Sequence, residues 1–185
     1  VKRVLVFFVS VAAITAAYSE YAQVKSKFDK IAKDRLRPGS RVSITPQELN
    51  AYVQAELKEA VPEGVREPKV QLGSGRATGT ALVDFEKVRR AQGNPPGWFL
   101  SKLLAGERPV TVTARIESGD GRARVDVERV EISGLPVEGR VLDWLVDHYV
   151  RSRYPAAKIG EPFALGHRME RLEVNPGGVD VHIAR

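Results

Sequence analysis

Residues Arg108–Gly134, RPVTVTARIESGDGRARVDVERVEISG, decide the fold, because apolar and polar residues alternate along almost the whole stretch. In its first half Val110, Val112, Ala114 and Ile116 fall on one side of an extended strand, and Thr111, Thr113, Arg115 and Glu117 on the other. Ser118-Gly119-Asp120-Gly121 supplies the turn. In the second half Ala123, Val125 and Val127 share a side, after which the phase slips and Val130 and Ile132 become the apolar positions. One extra residue near Glu128-Arg129, a β-bulge, returns the later pair to the side of the earlier three. Strands of this length exceed the usual value of about five or six residues. With one wet face, they predict an antiparallel sheet that curls around something.

The neighbouring segments extend the same pattern. Lys69-Val70-Gln71-Leu72 leads into Gly73-Ser74-Gly75, and Ala77, Gly79, Ala81, Val83 and Phe85 then alternate with Thr78, Thr80 and Asp84. The small residues of this second hairpin predict close backbone approach or strong curvature. Thr45-Pro46-Gln47-Glu48 is a helix start: Thr45 and Glu48 can satisfy each other's backbone N–H groups, and Pro46 stands where a helix has no N–H to lose. Leu49, Val53 and Leu57 line the inner side of that helix, with Asn50 one position off the stripe, free to bond loop backbone beneath the helix or to remain a surface amide. A short strand, Arg41–Ile44, precedes it. Two further segments are candidates to fill the curl: the apolar Trp98–Ala105, and a helix over Glu138–Tyr154 with Leu142 and Leu145 on its wide apolar stripe. A last hairpin is expected over Phe163–Val174 and Val179–Ile183, turning at Asn175-Pro176-Gly177-Gly178. The predicted class is α+β: a long curved antiparallel sheet wrapped around one or two helices.

Ahead of this lies an apolar run, Val4–Ala17, containing Val4, Leu5, Val6, Phe7, Phe8, Val9, Val11 and Ile14 and preceded by Lys2-Arg3. That is the pattern of a secretory signal peptide or of an uncleaved signal anchor over residues 1–20. A span of the bilayer core asks for about 20 apolar residues, so an anchor of this length needs snorkelling or local thinning. Residues 21–40 are expected to form a basic amphipathic stalk helix and linker, with Tyr21, Val24, Phe28 and Ile31 on one stripe and Pro38-Gly39 at its end. Residues 41–185 form the expected domain, on the outer side of the cytoplasmic (inner) membrane, anchored or released into the periplasm.

Charge is unevenly distributed. The chain carries +6, of which residues 1–40 hold +5, leaving a nearly neutral domain. Nucleic-acid binding depends on neutralising many phosphates, so it is not expected. The basic segment suits anionic lipid headgroups, or is an ordinary solvated helix face. The absence of cysteine from all 185 residues removes disulfides and thiolate chemistry.

No catalytic constellation assembles from the sequence. His148, His167 and His182 are scattered and without metal-ligand spacing, Asp147 and His148 diverge on a helix, and neither Ser133-Gly134 nor Ser74-Gly75 carries a nucleophile elbow. Acidic residues alternate with arginines, as in Arg124-Asp126-Glu128, in the manner of an ion-paired wet face. The expectation is therefore no enzyme, no metal and no cofactor.

The succession of an N-terminal anchor, then Ser43-Ile44-Thr45-Pro46-Gln47-Glu48-Leu49-Asn50-Ala51-Tyr52-Val53, then long antiparallel hairpins resembles the YceB-like, YpmS-like and LmeA-like bacterial envelope proteins, relatives of the tubular lipid-binding superfamily. The resemblance implies a curved sheet around a helix, an apolar groove, and binding of lipid in the cell envelope. It carries no catalytic motif. Candidate groove residues come from the apolar positions above: Leu49, Val53, Trp98, Phe99, Leu103, Val112, Ala114, Val125, Val127, Leu142 and Leu145. The Trp98–Leu104 segment reads as a core helix or as a lid over that groove, and Leu135-Pro136-Val137 as a buried turn or a membrane-dipping tip. The alternative function is a membrane-anchored adaptor with a fully packed core that binds another envelope protein.

Overall fold

A computed structural model describes residues 18–60, 64–85, 87, 106–138 and 160–185 of the chain. Among the described residues are helix α1 over residues 18–32, helix α2 over Pro46–Ala60, and nine strands. These are β1 (Arg41–Ile44), β2 (Val65–Gly73), β3 (Arg76–Asp84), β4 (Glu107–Gly119), β5 (Arg122–Ile132), β6 (Leu135–Pro136), β7 (Phe163–Ala164), β8 (Met169–Asn175) and β9 (Gly178–Ile183). The class is α+β, and every strand pair is antiparallel. A small sheet runs β1-β9-β8, and a large one runs β2-β3-β4-β5-β6 with β7 also on β5. Among the described residues no helix is long and apolar enough to cross a membrane. The apolar run Val4–Ala17 lies outside the described residues, as do Trp98–Leu104 and the segment carrying Leu142 and Leu145.

Local chemistry explains where the strands turn. Asp120-Gly121 joins β4 to β5 and Ser133-Gly134 joins β5 to β6, and in each two-residue loop both residues have positive φ. Such loops follow the right-handed twist of the flanking strands. The expected strand over Phe163–Val174 is divided in two. Gly166, His167 and Arg168 are consecutively left-handed, so Phe163-Ala164 pairs with Arg122-Ala123 of the large sheet while β8 joins the small one. Gly178 opens β9 because a Cβ there would collide with the Ile44 carbonyl oxygen.

The two sheets meet at the tips of the long hairpins. Gly75 N–H donates to the Val174 carbonyl and Gly121 N–H to the Glu170 carbonyl, both at 2.8 Å. Ser118 Oγ donates to the Leu172 carbonyl and accepts from Leu172 N–H, both at 2.7 Å. The edge of β8 that β9 leaves open is thus occupied by turn groups.

Helix α1 packs on the small sheet through the stripe expected from its spacing. Val24 and Ile31 share a core with Ile44, Val181 and Ile183, and Phe28, Leu49, Tyr52 and Leu172 pack around it. Phe28 meets Tyr52 edge to face at 4.6 Å between ring centres, and Tyr21 Oη donates to Glu56 Oε1 at 2.7 Å. Residues 18–40 therefore share a core with residues 41–185.

Glu48 sits at the centre of this junction, only 2% exposed. Its carboxylate accepts from Thr45 N–H at 2.8 Å while Thr45 Oγ1 accepts from Glu48 N–H at 3.2 Å, completing the capping box that starts α2. Lys27 Nζ reaches both carboxylate oxygens, at 2.6 and 2.7 Å, and also the Ser43 carbonyl at 2.7 Å. Burial drives the Glu48 carboxyl upward, but the bonds from Lys27 and Thr45 outweigh it and hold the group below the ordinary carboxylate range. One cation thereby joins α1, the end of β1 and the start of α2. Removing it strands a buried carboxylate, so Lys27→Met is expected to lower the unfolding free energy by about 3 kcal/mol near neutral pH, read from urea denaturation. A loss below about 1 kcal/mol would class the pair with ordinary surface ion pairs.

Candidate functional site: an apolar sheet face

Partners directly opposite in an antiparallel ladder project to the same side, so the register assigns every side chain of the large sheet to one of two faces. Val110, Val112, Ala114 and Ile116 of β4 stand opposite Ala81, Gly79, Ala77 and, across the other edge, Ile132, Val130, Val127 and Val125. Val70 and Leu72 of β2 continue the row beyond Gly79 and Ala77. One face is thus a field of Val, Ile, Leu, Ala and Gly four strands wide. The other carries Thr78, Thr80, Thr111, Thr113, Arg115, Glu117, Arg124, Asp126 and Arg129, as the alternation predicts.

The bulge falls where the sequence phase slips. Thr113 stands opposite Arg129 and Ala114 opposite Val127, so Glu128 is the residue without a partner. Its carboxylate is held by two arginines. Arg76 Nε donates at 2.7 Å to one oxygen, and Arg115 Nε donates at 2.7 Å to the other. Arg76 and Arg115 are themselves directly opposite in the ladder, a like-charge pair that Glu128 neutralises from the adjacent strand. The wet face is otherwise paired locally, with Arg124 on Asp126 at 2.9 Å and Arg129 on Glu131 at 3.4 Å.

Along the strands the apolar face changes character. Ile132 is fully buried at one end, in a core with Phe85, Val130 and Val137, and Ala123 is 3% exposed at the other. Between them Val112, Ala114, Val125 and Val127 are only half-buried. The middle is lined by the smallest residues, Ala77, Gly79, Ala81 and Ala114. No heavy atom of the described residues lies within 4 Å of a Cβ built on Gly79. Of the close approach or strong curvature expected for these small residues, no close approach at Gly79 is seen among the described residues. The apolar face is thus packed at both ends, with its smallest residues in the middle.

The candidate groove residues divide accordingly. Val112, Ala114, Val125 and Val127 come together on this face. Leu49 packs against the core of α1 and the small sheet, and Val53 is half-buried on α2. Trp98, Phe99, Leu103, Leu142 and Leu145 lie outside the described residues. The Leu135-Pro136-Val137 tip splits, Val137 being buried and Leu135 57% exposed. Gly79, Ala77, Val70, Leu72 and Ile116 are additions, and their signal was the same period of two running on through β2 and β3.

Asn50 is the second addition. It sits on α2 and grips the outer edge of β2, with Oδ1 accepting from Val70 N–H and Nδ2 donating to the Val70 carbonyl, both at 2.8 Å. The amide therefore stands in for a neighbouring strand and fixes α2 along the sheet edge. Of the two roles open to Asn50 in the sequence, backbone binding is the one realised, with strand rather than loop as the target.

Neither of two surface clefts coincides with the apolar face. One, of about 800 Å³, lies at the end of β8 and β9 between Gly39, His167, Arg168 and Arg185, and the other borders α1. Both have walls rich in charged groups. Among the described residues no group of three or more His, Asp or Glu is placed to hold a metal ion.

The arginine clamp makes the bulge pH-sensitive. Hydrogen bonds from Arg76 and then Arg115 hold the Glu128 carboxyl down to about 2, against an ordinary 4.5. A depressed carboxylate stabilises the fold above its ordinary value, and the contribution is lost as pH falls toward the folded-state value. Glu128→Gln is therefore expected to lower the urea midpoint near neutral pH, with the gap to the wild type closing between pH 4.5 and about 2. A gap independent of pH would show that Glu128 acts through its shape alone.

No curated protein and no solved structure matches the chain significantly. A family model does, that of the LmeA-like phospholipid-binding proteins, over residues 28–184. The match takes in the last third of α1, α2, the nine strands of the described residues and the apolar face they form. The chain belongs to the LmeA-like phospholipid-binding family.

Proposed function

We propose that the protein is a non-catalytic lipid binder that holds the acyl part of a phospholipid, or another long apolar ligand, in a groove against the apolar face of its large sheet. The observation that carries this reading is the centre of that face at Gly79, where no heavy atom of the described residues lies within 4 Å of a Cβ position, among half-buried Val112, Ala114 and Val127. An apolar depression lined by small residues accepts methylene groups without displacing side chains, and dispersion and desolvation favour their entry. Family membership supports phospholipid as the ligand class. The curl of the long strands around α2, and a lid formed by Trp98, Phe99 and Leu103, belong to the same proposal, as do Leu142 and Leu145 as further wall residues. So does the setting: the domain stands outside the cytoplasm, held at the inner membrane by residues 1–20 or released from it by their cleavage. The Lys2-Arg3 pair and the apolar run Val4–Ala17 support it.

The test is native mass spectrometry of the full chain purified from an expressing cell, with extraction and identification of any lipid. The expected result is about one phospholipid per chain, and a clean apo mass that persists after incubation with envelope lipids overturns the reading. Gly79→Phe is expected to reduce the bound lipid roughly tenfold by filling the groove. Its unfolding midpoint should stay level or rise, since a strand glycine contributes little packing. A large loss of stability with unchanged lipid content would instead mean that the face is already packed, as an adaptor with a closed core requires.

A further inference from the structure

We propose that the outward side of α1 is a docking surface for an anionic lipid bilayer, distinct from the groove and independent of whether the groove holds a lipid. The inward stripe of α1 is committed to the core, with Val24 fully buried and Ile31 6% exposed. What remains is basic. Lys25, Lys30, Lys33 and Arg35 line a shallow cleft of about 540 Å³ with Tyr18, and Asp29 is its one acidic wall residue. Asp29 offsets little of this charge, since its contact with Lys33 is 3.9 Å long between side chains more than half exposed. Tyr18, 75% exposed, ends the described helix on the side nearest the apolar run Val4–Ala17. Tyrosine prefers the level of lipid headgroups, with its ring in the apolar boundary and its hydroxyl in water.

Charge complementarity selects the partner. Residues 41–185 are within one charge of neutral, whereas residues 18–40 carry six Lys or Arg against three acids, with Lys27 of the six committed to Glu48. Each Lys or Arg held near an anionic leaflet is worth about a fivefold gain in binding, falling away within a Debye length. A nucleic acid would need a longer track of cations than this single helix offers. The helix cannot swing freely under the domain, because the Lys27–Glu48 pair and the Tyr21–Glu56 bond fix it. A membrane that binds α1 therefore sees the rest of the molecule at one angle.

The experiment compares binding of the full chain to vesicles of phosphatidylcholine alone and to vesicles in which roughly a quarter of the lipid is phosphatidylglycerol. The wild type is expected to prefer the anionic vesicles at least tenfold at about 0.1 M salt, with the preference lost near 0.5 M. Lys25→Glu, Lys30→Glu and Lys33→Glu together should abolish the preference. Binding to phosphatidylcholine, which residues 1–17 supply, and the lipid carried in the groove should stay unchanged. Lys69→Glu, at an exposed position on β2, should retain the full preference. Equal wild-type binding to both vesicles overturns the proposal, as does a preference that survives high salt or the triple substitution. The salt series on the wild type stands even if the triple variant fails to fold.

Discussion

The two-sidedness of the large sheet depends on one inserted residue. Side chains along a strand alternate with a period of two, so an unbulged β5 would turn Val130 and Ile132 to the wet face while Val125 and Val127 stayed on the apolar one. Ile132 is fully buried, and a strand that exposed it would lose the core shared with Phe85 and Val137. Glu128 absorbs the offset. Its carboxylate lies between Arg76 and Arg115, so the residue that corrects the hydrophobic register also relieves the repulsion between two directly opposed cations. Electrostatics on one face and apolar continuity on the other have a common origin.

Elsewhere the molecule separates support from site. The helices and the small sheet form one core, gathered around Val24, Ile31 and Ile183, and a second core lies at the far end of the large sheet. Backbone groups at the hairpin tips connect the first to the sheet, and Asn50 secures the sheet's first strand to α2. The strands of the apolar face are held by the ladder on either side, and Val112 and Val127 pack on the core around Ile132.

Much of this was legible in the residues. The capping box at Thr45 and Glu48, the turn at Asp120-Gly121, the stripe on α1 and the phase slip at Glu128 all follow from local chemistry, whereas the turn at Ser133-Gly134 falls just ahead of the one expected at Leu135-Pro136-Val137. What escaped depended on distance along the chain. Nothing near Lys27 indicates that it will find Glu48 twenty-one residues later, or that the helix carrying it will share the domain's core. Asn50 could equally have been a surface amide until Val70 was placed beside it. Helix periodicity identifies an inward side for Leu49 without saying that it packs against the core of α1 and the small sheet. Three successive left-handed residues at Gly166, His167 and Arg168 divided a strand whose alternation gave no warning, since only the glycine signals a break.

The hairpin tips, Asn50 and Lys27 have one more consequence when taken together. A β-rich chain endangers itself wherever a strand leaves backbone groups available, because another copy can add there and the addition can repeat without end. Here Gly75, Ser118 and Gly121 occupy β8, Asn50 occupies β2, and Lys27 takes the Ser43 carbonyl on β1. Each of these backbone groups is taken by a side chain or a turn, and is thereby withheld from pairing with another copy of the chain.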